Sequence, residues 1–181
     1  MKQKLLTIAA LSFAVLSMLG FGGRAEAAGG KILVAYFSYQ GHTAGVAREI
    51  AAQTGGDLFE IKPATPYPAY DECLDVAKAE RENNARPAFE GNVENMADYD
   101  AVFVGYPIWW YDAPMIVLTF LESNDLSGKT VIPFATSGGS PLSDSLDSVR
   151  AVAAGATIGE GLLVGDESGI APWLARIGYA K

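Results

Sequence analysis

The stretch from Lys31 to Thr43, KILVAYFSYQGHT, constrains the fold of this chain more than any other. It begins with a short apolar run, residues 32–37, whose β-branched and aromatic residues show almost no polar alternation, as is typical of a strand buried on both faces. A polar loop with a central glycine ends the run, and a helical pattern follows at once. The apolar face of that predicted helix carries Val46, Ala47, Ile50 and Ala51.

A strand, a short hydroxyl-rich loop and a helix in this order direct backbone N–H groups at one point. The positive end of the helix dipole points there too, so an anion such as phosphate is stabilised at that position. The alternative is an ordinary strand-to-helix turn, because the loop over residues 38–43 is neither a P-loop nor a GxGxxG motif.

Residues 1–27 have the pattern of a secretory signal peptide. Lys2 and Lys4 precede an apolar run over residues 5–19, and Ala25-Glu26-Ala27 is a small-x-small cleavage site. A membrane anchor is the alternative, but a spanning helix needs about 20 apolar residues, more than this run supplies. We therefore expect export to the periplasm or beyond, with no membrane insertion once the signal is removed.

Residues 28–181 are predicted to form a single domain, because no linker, repeat or low-complexity tract divides them. Residues 1–27 carry three cationic side chains and one acidic one, a charge of +2, so the net charge of −8 for the whole chain leaves −10 on residues 28–181. An acidic surface disfavours binding to nucleic acid and to anionic membranes. It favours a partner protein with a basic docking face, although a role in solubility alone is an equal alternative.

The chain has one cysteine and one histidine, which excludes several kinds of site. Cys73 alone cannot form an internal disulfide, a cysteine zinc site or an iron–sulfur cluster. A Ser-His-Asp triad would have to use His42, which we expect instead to be an exposed loop residue. No metal site and no catalytic residue of the chain's own is therefore predicted.

Strands and helices alternate along the rest of the chain. Further strands are predicted over residues 57–62, 101–105, 130–135 and 157–164, and further helices over residues 70–84, 114–122, 141–153 and 170–177, with Ser140 as an N-cap. The strand over residues 57–62 alternates in polarity and should lie at an edge. This alternation predicts a three-layer, doubly wound α/β fold with five parallel strands.

Three distinctive loops, residues 38–43, 106–112 and 136–140, each follow a predicted strand. Ligands of doubly wound sheets bind at the carboxyl ends of strands, so these loops should meet at one edge of the sheet. The first offers the hydroxyls of Ser38 and Thr43 and the amide of Gln40, which are neutral donors for a phosphate.

The second loop contains Trp109, Trp110 and Tyr111, which cannot all point inward, so at least one ring should be an exposed stacking surface. The two tryptophans should face opposite ways if the segment is extended. The third loop is rich in glycine and lets the backbone approach a flat polar ring edge. Together the three features describe flavin mononucleotide (FMN); core or partner packing is the alternative for the tryptophan pair.

Nearly the whole of residues 28–181 resembles the flavodoxin family, and most of all its bacterial flavodoxin-like branch with GYPIWW and TSGGS segments. The matching residues are 37–43, 66–68, 85–87, 105–110 and 136–140. The family pattern for the first loop is Ser/Thr-x-Thr-Gly-x-Thr, and this chain has Gln40 in place of the central Thr. The resemblance implies the sheet order 2-1-3-4-5 with FMN at the switch point, for which flavodoxin is a standard example.

The resemblance also implies which residues bind FMN. The phosphate would be surrounded by Ser38, Gln40, Gly41, His42 and Thr43. Trp109, with Trp110 next to it, would flank the isoalloxazine, together with Pro107 and Ile108 of the same loop. The pyrimidine edge would be lined by Thr136, Ser137, Gly138 and Gly139.

The function predicted from these features is that of an exported, FMN-binding electron-transfer protein of the oxidoreductase class, a redox carrier in which the flavin performs the chemistry. One alternative is an FMN-dependent reductase of quinones or similar small molecules. Another, from a different class, is a non-redox binding or structural protein that keeps the fold without the flavin.

Overall fold

The computed structural model describes residues 30–181, and the predicted signal peptide lies outside them. The strands are β1 (Lys31–Tyr36), β2 (Asp57–Glu60), β3 (Lys62–Pro63), β4 (Phe89–Glu90), β5 (Tyr99–Pro107), β6 (Thr130–Thr136), β7 (Thr157–Ile158) and β8 (Leu162–Val164). The α-helices are α1 (His42–Thr54), α2 (Tyr70–Glu82), α3 (Met115–Glu122), α4 (Ser143–Val152) and α5 (Ile170–Arg176). Short 3₁₀ turns cover Met96–Asp98 and Glu167–Gly169.

The central sheet is parallel and has the order β2-β1-β5-β6, with β7 and β8 both beside β6. If β7 and β8 are counted as one interrupted fifth strand, this is the order 2-1-3-4-5, so the predicted fold is confirmed. The strand at residues 57–60 lies at an edge, as predicted. It is shorter than predicted, because Lys62 and Pro63 leave the main sheet and pair antiparallel with β4.

The two faces of β1 pack against different helices, which gives the fold its three layers. Leu33 and Ala35 pack on the side of α3 and α4, whereas Val34 and Tyr36 pack on the side of α1 and α5. All four residues are buried, which confirms a strand covered on both faces. The predicted apolar face of α1 is buried in the second of these clusters.

The predicted fifth strand over residues 157–164 is wrong as one continuous element. β7 pairs with the start of β6 and β8 with its end, so the ladder is broken at the level of Pro133. Pro133 has no N–H to donate. The backbone at Gly161 also passes so close that an added Cβ would lie 2.7 Å from the carbonyl oxygen of Pro133.

The predicted N-cap at Ser140 is also wrong. α4 begins at Ser143 with Leu142 at the N-cap position, and no side chain caps it. The N–H of Ser140 instead donates to the hydroxyl oxygen of Ser137 at 2.7 Å, which bends the chain into a turn before the helix starts. Among the helices of residues 30–181, none is long and apolar enough to cross a bilayer.

Candidate functional site

The three predicted loops meet at the carboxyl edge of the sheet. The N–H of Phe37 donates to the carbonyl of Gly105, and the N–H of Ile108 donates to the carbonyl of Thr136, both at 2.9 Å. The hydroxyls of Thr43 and Thr136 are also hydrogen-bonded at 2.9 Å. The last two contacts join the third loop to the second and to the first, and the contact of Phe37 with Gly105 joins the residues that precede the first two loops. The position of each loop after a strand predicted this meeting.

A cavity of about 570 Å³ opens between these loops. Its size lies within the range of about 300–1,000 Å³ that is common for small-molecule sites. Eight of the thirteen predicted cofactor-binding residues line it: Gln40, His42, Pro107, Ile108, Trp109, Thr136, Ser137 and Gly138. The other five lie in the same loops but not on the cavity wall: Ser38, Gly41, Thr43, Trp110 and Gly139.

The first loop ends at Gly41, which has a φ of 90° and is the N-cap residue of α1. The N-cap glycine has no side chain to cap the helix, and the first turn contains no acidic residue. The hydroxyl of Ser38 accepts the N–H of Ala44 at 3.1 Å, while Thr43 is buried. Ser38 and Thr43 therefore shape the loop, and the exposed residues Gln40 and His42 form the part of it that faces the cavity. The exposure of His42 agrees with its prediction.

Trp109 is the aromatic wall of the cavity. Its ring is half-buried and meets the rings of Phe37, Tyr39 and Tyr67 edge to face, with centroid distances of 5.2, 5.6 and 5.2 Å. Such contacts fix the position of the indole. Burial raises the pKa of the Tyr67 hydroxyl, which donates a hydrogen bond to Glu80 at 2.9 Å. The Tyr67 side chain that supports the indole is therefore neutral.

The segment after Trp109 is a tight turn and not the extended segment in which the two tryptophans would face opposite ways. Trp110 and Tyr111 have φ values of 49° and 64°, and the backbones of Trp109 and Asp112 exchange hydrogen bonds of 2.9 and 3.0 Å across them. This reciprocal pairing closes the turn and separates the two tryptophans. The Trp110 ring is 39% exposed and its indole N–H donates to the carbonyl of Leu74 at 3.0 Å, which confirms that one ring of the loop is exposed.

The third loop is held by the hydroxyl of Ser137, which accepts the N–H groups of Gly139 and Ser140 at 3.0 and 2.7 Å. Gly138 and Gly139 are exposed, and an added Cβ at either would meet nothing within 4 Å. The backbone of this loop can therefore be approached closely by a ligand.

A fourth segment of the cavity wall, residues 164–167, is missing from the predicted set. It follows β8, so the rule that ligands bind at the carboxyl ends of strands would have found it. It brings the carboxylates of Asp166 and Glu167 to the cavity. Asp166 accepts hydrogen bonds from the hydroxyl and the N–H of Ser168, and these lower the pKa of its carboxyl group. Val46 and Tyr70 are two further wall residues outside the predicted set.

The arrangement combines a helix N-terminus, an aromatic wall and an open backbone edge in one cavity. These features suit a ligand with a phosphate, a flat ring system and polar ring atoms. Within residues 30–181 no three His, Cys, Asp or Glu side chains come together in a way that could hold a metal ion.

The fold and the cavity define a doubly wound α/β protein with a ligand site at the switch point of its sheet. The family model described as Flavodoxin matches residues 31–177, and the chain belongs to the flavodoxin family. No relative was found among curated proteins.

Solved structures agree with this assignment. A candidate flavoprotein from Bacteroides eggerthii is 45% identical, with 81% of this chain and 97% of that chain covered and a TM-score of 0.74. One from Bacteroides uniformis is 40% identical, with 81% and 99% covered and a TM-score of 0.75. A flavoprotein from Lactobacillus acidophilus in complex with FMN is 22% identical, with 80% and 98% covered and a TM-score of 0.69, and this likeness concerns the fold.

Proposed function

We propose that this chain binds FMN in the cavity of about 570 Å³ and serves as an electron carrier. The observation that carries the proposal is the meeting of the N-terminus of α1 with the indole of Trp109 in that cavity. Membership of the flavodoxin family supports it, as does the FMN complex of the flavoprotein from Lactobacillus acidophilus.

The phosphate would be held at the first loop by hydrogen-bond donors. These are the amide of Gln40, the imidazole of His42 and the N–H groups at the start of α1, which have no partners inside the helix. Ser38 and Thr43 would act indirectly, because their hydroxyls already hold the loop together through Ala44 and Thr136. A dianion at this position gains from the helix dipole without a lysine or arginine.

The isoalloxazine would lie against Trp109, with its pyrimidine edge near residues 136–138. When bound, FMN supplies transfer of one or two electrons, and the protein supplies binding, orientation and electrostatics. Asp166 and Glu167 line the same cavity and oppose the negative charge that reduction adds. We therefore expect these two carboxylates to lower the reduction potential of the bound flavin.

Export and the redox partner belong to the same proposal. The pattern of residues 1–27 supports a carrier that works outside the cytoplasm. The charge of −10 on residues 28–181 favours a partner protein with a basic docking face. Electron transfer to such a partner should slow as the salt concentration rises, because screening weakens steering.

The direct test is a titration of flavin-free protein with FMN and with riboflavin, which lacks the phosphate. We expect the fluorescence of FMN to be quenched when it binds. Riboflavin should bind at least about tenfold more weakly, because the contacts with the phosphate are lost. Equal affinity for the two would contradict the phosphate position. Absence of binding to both FMN and riboflavin would favour the alternative of a non-redox binding or structural protein.

A second function, that of an FMN-dependent reductase of quinones or similar molecules, is favoured by one observation. A further cavity of about 310 Å³ adjoins the first and shares Tyr70, Ile108 and Trp109 with it, so a small substrate could reach a flavin at that wall. Consumption of NAD(P)H by the FMN-loaded protein, with and without a quinone, separates the two functions. A carrier shows no quinone-dependent turnover on its own.

A further inference from the structure

The smaller cavity adjoins the proposed flavin cavity and has further wall residues of its own. Besides the three shared residues, its rings come from Tyr39, Trp110 and Tyr111, and its apolar side chains come from α2, including Leu74. None of its lining residues, all within residues 30–181, is charged. The larger cavity, by contrast, is lined by Asp166 and Glu167.

The aromatic side of this cavity is built from a strained turn. Trp110 and Tyr111 both have positive φ, a backbone conformation that is unfavourable for residues other than glycine. The turn is closed by the paired backbones of Trp109 and Asp112, and Arg81 of α2 lies 3.6 Å from the Asp112 carboxylate. These contacts maintain the turn and keep two large rings at the mouth of the cavity, although both remain partly in solvent.

Several exposed apolar side chains surround the mouth of this cavity. Within residues 30–181, seven large apolar side chains are exposed, and four of them line this cavity: Tyr70, Leu74, Trp110 and Tyr111. Exposed apolar groups that converge on a concave site mark a binding surface more often than scattered ones do.

Size and polarity restrict the occupant. A cavity of about 150 Å³ holds one benzene ring, so the volume of about 310 Å³ has room for two fused rings. The polar side chains in the wall besides tryptophan and the other tyrosines are the hydroxyl of Tyr39, the thiol of Cys73 and the hydroxyl of Ser140. The Tyr39 hydroxyl donates to the carbonyl of Pro68 at 2.6 Å, and its oxygen can still accept a hydrogen bond. An ion would leave water without a partner of opposite charge in the wall.

We propose that this cavity is a binding site for a neutral, flat, two-ring aromatic compound that bears a hydroxyl or carbonyl group. The inference goes beyond FMN binding, and it stands on the cavity wall whether or not FMN binds next to it.

The test uses 2-naphthol as the probe and 2-naphthoate as its charged counterpart of similar size, each titrated calorimetrically into flavin-free protein at pH 7. We expect 2-naphthol to bind with a stoichiometry of one and 2-naphthoate to bind at least about tenfold more weakly, since no cationic side chain lines the cavity. The Lys78 ammonium lies outside the lining, 5.5 Å from the centroid of the Trp110 ring. Absence of 2-naphthol binding, or equal affinity for the two compounds, would overturn the proposal.

Two matched variants test whether 2-naphthol binds in this cavity. Leu74 and Val76 are both exposed apolar residues of α2, but only Leu74 lines this cavity. Leu74→Glu should weaken 2-naphthol binding at least about tenfold, whereas Val76→Glu should change it less than about twofold. Equal losses in the two variants would mean that the probe binds elsewhere on the surface.

A competition with FMN separates this site from the proposed cofactor site. We expect 2-naphthol to bind both the flavin-free and the FMN-loaded protein. One-for-one displacement of the probe by FMN would assign the smaller cavity to the flavin and overturn the proposal. If FMN fails to bind while 2-naphthol binds as expected, only the proposed carrier function fails.

Discussion

Trp109 and Trp110 are neighbours in the chain, but the tight turn gives them different surroundings. Trp109 lines the proposed flavin cavity. Trp110 instead lies near α2, where its indole N–H donates a hydrogen bond to the carbonyl of Leu74. Trp109→Ala should therefore weaken FMN binding about tenfold to a hundredfold, the effect of losing about 1–3 kcal/mol of stacking and burial. Trp110→Ala should weaken it less, as fluorescence titration of both variants can measure.

The stability of each variant must also be measured, because Trp109 packs on Phe37, Tyr39 and Tyr67 and its loss can destabilise the fold. Urea unfolding of each variant shows how much of the lost affinity comes from partial unfolding. A larger loss in the Trp110 variant would mean that the flavin stacks on the exposed ring. No loss in either variant would leave the aromatic cluster as packing alone.

Glu80 gives a prediction for the effect of pH on stability. Burial raises the pKa of its carboxyl group above the ordinary value of 4.5, although the hydrogen bond from Tyr67 opposes the shift. The folded chain therefore holds this proton at a higher pH than the unfolded chain does. The protein should lose stability as the pH rises from about 4.5 through the raised pKa, because the charged carboxylate is the disfavoured form in the fold.

Glu80→Gln removes this titration and keeps an oxygen that can accept from Tyr67. The free energy of unfolding of the variant, relative to the parent, should therefore increase as the pH rises from 4.5 to 8, as urea unfolding at several pH values can measure. A difference that stays constant with pH for Glu80→Gln would contradict the role of burial.

At the scale of elements, Gly105 and Gly45 predict opposite effects of the same substitution. Gly105 lies opposite Phe134 in the β5–β6 pair, where an added Cβ would lie 2.1 Å from a ring carbon of Phe134. Gly105→Ala should therefore destabilise the fold by about 1–3 kcal/mol through overpacking. Gly45→Ala, inside α1 with nothing within 4 Å of an added Cβ, should stabilise it by about 0.5–1 kcal/mol.

Urea unfolding midpoints of the two glycine variants measure both effects. If Gly105→Ala is neutral, the Phe134 ring has room to turn away, and the packing at the carboxyl end of β5 tolerates an added methyl group. A loss of stability in Gly45→Ala would mean that the start of α1 is under constraint from the first loop. The comparison also bears on the cofactor, because both glycines adjoin the loops of the site.

Elements that are specified by local pattern could be predicted from the sequence. β1 and α1 were predictable because a continuous apolar run and a helical stripe are strong signals within a few residues. The interruption between β7 and β8 was not, because it arises from the contact of Gly161 with Pro133 across the sheet. The turn at Trp110 and Tyr111 was missed for a similar reason: backbone pairing of Trp109 with Asp112 overrides the poor preference of both residues for positive φ.

At the scale of the whole molecule, the order of the strands came from the resemblance to flavodoxins rather than from the strand patterns. The convergence of the three loops followed from the carboxyl-end rule, which places every such loop at one edge. The same rule extends to the segment after β8, which brings Asp166 and Glu167 to the cavity although the predicted site lacks them. The smaller cavity could not be predicted, since it depends on how α2 packs beside the second loop.

Export is the prediction that concerns the whole chain, and it rests on residues 1–27. Protein isolated from the native cell should begin at about residue 28, as N-terminal sequencing or intact mass can determine. Ala27→Lys should block this cleavage, because a long cation replaces the small residue before the cut, whereas Glu26→Gln, at the tolerant middle position, should be processed like the parent. A parent protein that begins at Met1 would overturn the prediction. Normal processing of Ala27→Lys would instead move the cleavage site away from residues 25–27, while export itself would stand.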